Sequence, residues 1–123
     1  MIHYVAAPYL SLDDSIRQSR FHQIAAFTAH LQQHVGAVIS PNIMHHLSHQ
    51  CSPLDLSPDG LLLRNEPLIR ASQVVVVAML DGWRDNRLMR MEIDVAIAAG
   101  LTVMHGGYDY HDHFFLIRRH TDV

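Results

Sequence analysis

Apolar residues in this chain fall into short unbroken runs separated by longer stretches with helical spacing. The strongest run is Val74-Val75-Val76-Val77-Ala78-Met79-Leu80. A continuous apolar segment rich in β-branched residues is what a central strand covered on both faces requires. Residues 2–6 form a similar, shorter strand stopped by Pro8, and 37–39 a third that ends at Ser40-Pro41. Between the first two of these in chain order, Phe21, Ile24, Phe27, Thr28 and Leu31 recur every three to four residues, the spacing of one helical face. Ser11, Asp13 or Asp14 can cap that helix, which is predicted to run to about Gln33. The pattern then dissolves: residues 42–59, with Ser52-Pro53, Ser57-Pro58 and the His45-His46 pair, read as a loop with one short helical turn. A weaker helical pattern occupies 60–72 through Leu61, Leu62, Leu68 and Ile69, and a clear one occupies 86–100, stopped by Gly100. Residues 101–104 form a fourth strand that Gly106-Gly107 is expected to break, and the tail from Tyr108 adds at most a short last element.

Strand, helix, strand, helix, strand, helix, strand predicts one α/β domain over residues 1–123: a flavodoxin-like or Rossmann-like three-layer sandwich with a four- to five-stranded, mainly parallel sheet. Ligands on such sheets bind beyond the carboxyl ends of the strands. Three loops are predicted to meet there: 7–11, 40–46 and 81–86.

Composition narrows the partners. The chain has 123 residues, 49% of them apolar, enough for an ordinary core. Its single cysteine, Cys51, cannot bridge within the chain, which fits a reducing compartment. The start carries no charged and apolar leader pattern, and no apolar run reaches the roughly 18 residues of a membrane span, so a cytoplasmic protein with no membrane partner is expected. Formal charge is −3, and the nine basic residues are all scattered arginines. That argues against nucleic acid as a partner, which would call for a basic face. A small anion held by one or two arginines stays compatible, with Tyr9, Arg17 and Arg20 after the first loop as candidates.

The candidate chemistry sits at the ligand edge. Gly-rich dinucleotide and Walker motifs are absent. Glu92 lies in the second turn of the 86–100 helix, bordering the stripe Met89, Ile93, Ala96, Ile97 and Gly100 that packs on the sheet. Residues six apart on a helix do not share a face, so Asn86 and Glu92 meet one ligand only if Asn86 is in the cap. The bland alternative is a carboxylate that simply favours the helix dipole. Trp83 can stack on a base or close a hydrophobic edge. Eleven histidines stand out, and His45, His46, His49 and Cys51 lie close in sequence, as do His111 and His113. Prolines interrupt the first group and neither has a second ligand pair at fixed spacing, so no metal is expected. His45 reads as a contact to a base edge or phosphate.

Tyr4-Val5-Ala6-Ala7-Pro8-Tyr9 resembles the opening strand and loop of nucleoside 2-deoxyribosyltransferase-like proteins. Ser40-Pro41 with His45-His46, then 74–80, Gly82-Trp83-Arg84-Asp85, Glu92 and Ala96, resemble a small branch of that superfamily, a domain of unknown function. The ordered matches cover roughly residues 2–105. The resemblance implies cleavage or transfer at the N-glycosidic bond of a nucleoside or nucleoside 5′-monophosphate. Glu92 would attack the anomeric carbon, Tyr4 would orient it, and no cofactor would be needed. A carboxylate both stabilises and captures an oxocarbenium-like transition state.

By the same resemblance, Ala7, Pro8, Tyr9, His45, Asn65, Asp81, Trp83, Asp85 and Asn86 would surround the substrate, and a homodimer or larger homo-oligomer would complete the pocket. Two positions depart from the transferases, which carry aspartates where this chain has Asn86 and Asn65. Amides hydrogen-bond a hydroxyl but cannot act as general acids. Nucleotide N-glycosidases of the fold keep the glutamate and place a small polar residue ahead of it against phosphate, a role open to Asn86 beside Arg84 or Arg87. Asp81, Asp85 or Glu66 are the replacement acids. The rival expectation is a non-catalytic nucleotide-binding module on the same fold.

Overall fold

Alternation along the first and third apolar runs decides the layering. In a strand successive side chains point to opposite faces, so Tyr4 and Ala6 pack on one side of the sheet with Val75, while Val5 packs on the other with Val74, Val76 and Ala78. In the computed structural model, which describes residues 1–118, both sides are covered. Strand β1 (His3–Ala6) leads into helix α1 (Asp14–Val35), then β2 (Val38–Ile39). Helices α2 (Pro41–Cys51) and α3 (Pro58–Arg70) precede β3 (Val74–Ala78). A 3-10 turn (Trp83–Asp85) and α4 (Arg87–Ala98) lead to β4 (Thr102–Tyr108) and β5 (Phe114–Arg118).

The sheet order is β2-β1-β3-β4-β5, parallel except for the β4–β5 pair. This is the flavodoxin-like order, with its switch point between β1 and β3. Helix α1 packs through Ile24, Phe27 and Leu31 on the Val5 side, and Ile69 of α3 with Ala96 of α4 pack on the Tyr4 side. Tyr4 therefore points toward the two helices that carry Asn65 and Glu92.

The expected elements hold in their order, and two segments differ. Residues 42–59 are not mainly loop: α2 is a full helix from Pro41 to Cys51. Its buried positions are Pro41, Asn42, His45 and His46, so its inward face is polar and leaves no apolar periodicity to read. Ser40-Pro41 and Ser57-Pro58 are helix starts, since proline at the first helical position gives up an N–H that lacks a partner anyway, whereas Ser52-Pro53 follows the end of α2. Ser57 accepts from the Gly60 N–H at 3.1 Å and Pro58 opens α3.

Nor does Gly106-Gly107 break the fourth strand. β4 runs through both, and β5 pairs with it antiparallel from Tyr108↔Phe114 to Met104↔Arg118. A Cβ at residue 106 would lie 2.8 Å from Phe27 Cζ, so the glycine admits the α1 aromatic against the strand. Of the tail, residues 119–123 lie outside the described part. Gly100 has φ +74° just past α4, the left-handed conformation of a helix stop.

Candidate active site

The site is built from one position of β1 and three helices, α2, α3 and α4. Glu92 is completely buried. Its Oε2 accepts from the Tyr4 hydroxyl and from Asn65 Nδ2, the latter at 3.2 Å. Its Oε1 is buried with no hydrogen-bond partner. Asn65 is held in turn by His45, whose Nε2 lies 2.7 Å from Asn65 Oδ1. An amide that donates to Glu92 through Nδ2 must accept through Oδ1, so His45 carries its proton on Nε2. Four side chains from β1, α2, α3 and α4, far apart in sequence, thus form one chain: His45 to Asn65 to Glu92, with Tyr4 on the same carboxylate oxygen.

Burial dominates the electrostatics of this chain. It pushes the Glu92 carboxyl from its ordinary 4.5 up to about 7, against the hydrogen bonds from Tyr4 and Asn65, which favour the ionised form. Burial and the adjacent Glu92 also raise the Tyr4 hydroxyl well above its usual value, so it stays a donor. A carboxyl balanced near neutrality in a buried setting is a frequent property of reactive sites.

Above this chain, at the carboxyl end of the sheet, lies a groove of about 800 Å³. The loop after β1 supplies Leu10, Ser11 and Leu12. Arg17 and Arg20 come from α1, and 56–58 from the entry to α3. Gly82 and 85–88 close the other side. Asn86 is the N-cap of α4, accepting from the Met89 N–H at 3.1 Å, and in that cap position it meets the groove as the helix geometry requires. Leu88, one turn before Glu92 on the same helical face, lines the groove while being almost fully buried, whereas Glu92, Tyr4, Asn65 and His45 are not part of that lining.

The remaining sequence candidates divide by location. Asp85 lines the groove. Asp81 and Trp83 instead surround a smaller depression of about 340 Å³ with Arg84, whose guanidinium sits 4.5 Å from the Trp83 ring centre. Ala7 and Pro8 are buried at the end of β1, and the Ala7 carbonyl accepts from Asn42 Nδ2 at 3.3 Å. Tyr9 does not line the groove, and its hydroxyl lies 2.9 Å from His46 Nδ1; Phe21 stacks on that imidazole at 4.2 Å and Gln18 lies 2.8 Å from its Nε2.

The histidines of the 45–49 segment make separate contacts: His45 holds Asn65, His46 meets Tyr9, and His49 Nδ1 accepts from the Leu54 N–H at 2.9 Å. Among the described residues no group of three or more His, Cys, Asp or Glu gathers, and no helix is long and apolar enough to cross a membrane. Sequence reasoning missed Leu88, Leu56 and Asn42. Leu56 and Asn42 were hidden in the segment 42–59 read as loop, and Leu88 lies outside the stripe read as packing on the sheet.

A flavodoxin-like α/β domain with a buried, networked glutamate beneath a groove at its switch point is the class that fold and site define. Within that class, the chain belongs to the family described as a domain of unknown function, DUF1937, whose model matches residues 1–107. Among curated proteins none matches the chain.

Proposed function

We propose that the protein cleaves the N-glycosidic bond of a nucleoside or nucleoside 5′-monophosphate, with Glu92 as nucleophile. One observation carries this reading: both donors hold Oε2, and Oε1 is left without a partner. A carboxylate fixed by one oxygen keeps the lone pairs of the other for attack. Oε1 would bond to the anomeric carbon as the bond to the base breaks. The base leaves with that electron pair and gains a proton. Neither Asn65 nor Asn86 can deliver it; Asp85 is the carboxyl group in the groove lining. Water, or a second base, then attacks the same carbon and releases the carboxylate. Because Glu92 is fully buried and does not line the groove, ligand contact requires the side chains that cover it to move.

Supporting this are the raised carboxyl, which is partly ionised at neutral pH, and the resemblance of the ordered motifs to nucleoside 2-deoxyribosyltransferase-like proteins. The test is a panel of nucleosides and 5′-monophosphates, with and without an acceptor base, followed by chromatography. Base release that disappears in Glu92→Gln is expected, with exchanged nucleoside appearing if transfer is the reaction. Absence of turnover across the panel would sink the enzyme reading. The complete burial of Glu92 and the two asparagines favour a second reading, a nucleotide-binding module, which Glu92→Gln would leave with ligand affinity and no activity to lose.

A further inference from the structure

The groove's charge is opposite to that of the chain. Over the whole sequence the formal charge is −3, yet the groove is lined by Arg17, Arg20 and Arg87 against the single carboxyl of Asp85. Among the described residues neither Arg20 nor Arg87 has an ion-pair partner, and Arg17 pairs only with the exposed Asp14, at 3.0 Å. Two of these arginines are already positioned. Arg17 Nη1 donates to the Ser11 carbonyl and Arg20 Nη1 to the Leu10 carbonyl, each at 2.5 Å. The other amino group of Arg20 lies directly on Gly82: a Cβ there would be 2.6 Å from Nη2, and φ is +87°. A partly buried guanidinium is therefore seated between the β1 and β3 loops, with protein acceptors for only part of its donor set. Burying positive charge without a counter-charge is costly, and a bound anion removes the cost.

We propose that this groove holds the phosphate of a nucleoside 5′-monophosphate, with Arg20 and Arg17 as its anchors and Arg87 at the rim. The rest of the ligand rests on the N-glycosidic reading above; the anion site does not. A dianion matches the two net positive charges of the lining better than a carboxylate, and guanidinium forks suit phosphate oxygens. The first turn of α4 adds the N–H groups of Arg87 and Leu88, which no helix satisfies internally. Geometry agrees as well. Leu88 lies four residues from Glu92, about 6 Å along the helix axis, comparable with the span from a 5′ phosphorus to C1′ across a furanose ring.

Calorimetric titration of Glu92→Gln, which cannot turn over, with the four common 2′-deoxynucleosides and their 5′-monophosphates tests this, alongside ribose 5-phosphate and inorganic phosphate. The monophosphate is expected to bind roughly tenfold or more tightly than its nucleoside. Adding Arg20→Gln should abolish that preference, and adding Arg87→Gln, an exposed side chain with no hydrogen bond or ion pair among the described residues, should reduce it several-fold. Equal binding of nucleoside and monophosphate, or a preference that survives both arginine variants, would overturn the proposal. Should Arg20→Gln fail to fold by circular dichroism, Arg87→Gln and Arg20→Lys decide in its place. Phosphate or ribose 5-phosphate binding that depends on the arginines, with no nucleoside binding, would retain the anion site and discard the N-glycosidic reading. Nucleoside binding to Glu92→Gln without phosphate preference, together with nucleoside turnover by the wild type, would do the reverse.

Discussion

At Glu92 the cost of burial and the chemistry are the same fact. In the unfolded chain this carboxyl titrates near 4.5; in the fold it titrates near 7. Between those values the folded chain holds a proton that the unfolded chain has released. Stability therefore falls as pH rises through that window, and the loss is complete above pH 7, on the order of 3 kcal/mol. Glu92→Gln removes the titration. Its stability advantage over the wild type, followed by thermal or urea unfolding, should grow from pH 4.5 upward and level off above 7; parallel pH profiles would show that Glu92 is solvated. Tyr4→Phe probes the other side of the balance. Losing a donor that favours the carboxylate raises the Glu92 carboxyl further, so the pH at which turnover reaches half its maximum should move upward. The sequence pointed to Glu92 and Tyr4 through ordered motifs, and to His45 and Asn65 as contacts. Their union into one hydrogen-bonded chain was not legible, because it depends on side chains from four elements meeting at distances that only folding sets.

Element by element, the legible parts were those whose burial is apolar. The valine run of β3 and the Phe27 face of α1 carry their own periodicity, since water is excluded from them by hydrophobic side chains. Helix α2 buries histidine and asparagine instead, so hydropathy alone turned it into a loop. Gly106 was misleading for a related reason: it reads as a breaker, but its missing Cβ is space taken by Phe27. Gly106→Ala forces that ring to shift in a packed aromatic cluster with Tyr108 and Phe114. A loss of about 1–3 kcal/mol is expected by urea unfolding; an unchanged midpoint would mean that the ring relocates freely. Leu88→Ala in α4 should act on function. It opens the groove one helical turn from the carboxylate, so Glu92, shielded by burial from a carbodiimide reagent in the wild type, should label readily in the variant; unchanged shielding would mean that other side chains cover it.

For the molecule as a whole, strand order ranks local stability. β1 and β3 are buried along their length with hydrogen-bonded neighbours on both sides, whereas β2 is a two-residue edge and β5 is partly exposed. Amide exchange should be slowest in β1 and β3 and fastest in β2 and β5, and a mass-spectrometric exchange profile with β5 as protected as β3 would contradict the layering. The same order explains where the groove lies: the chain leaves β1 and β3 in different directions, and their loops part at the switch point. The sequence by itself determined the alternation of strands and helices and the parallel core, and singled out Glu92 as the candidate carboxylate, because these rest on periodicities and motifs local to the chain. Tertiary structure alone decided that Tyr4 faces α3 and α4, that His45 aligns Asn65, that Tyr9 turns to His46, and that three scattered arginines gather on one groove. Contacts between residues dozens of positions apart depend on the packing of whole elements, which no local pattern encodes.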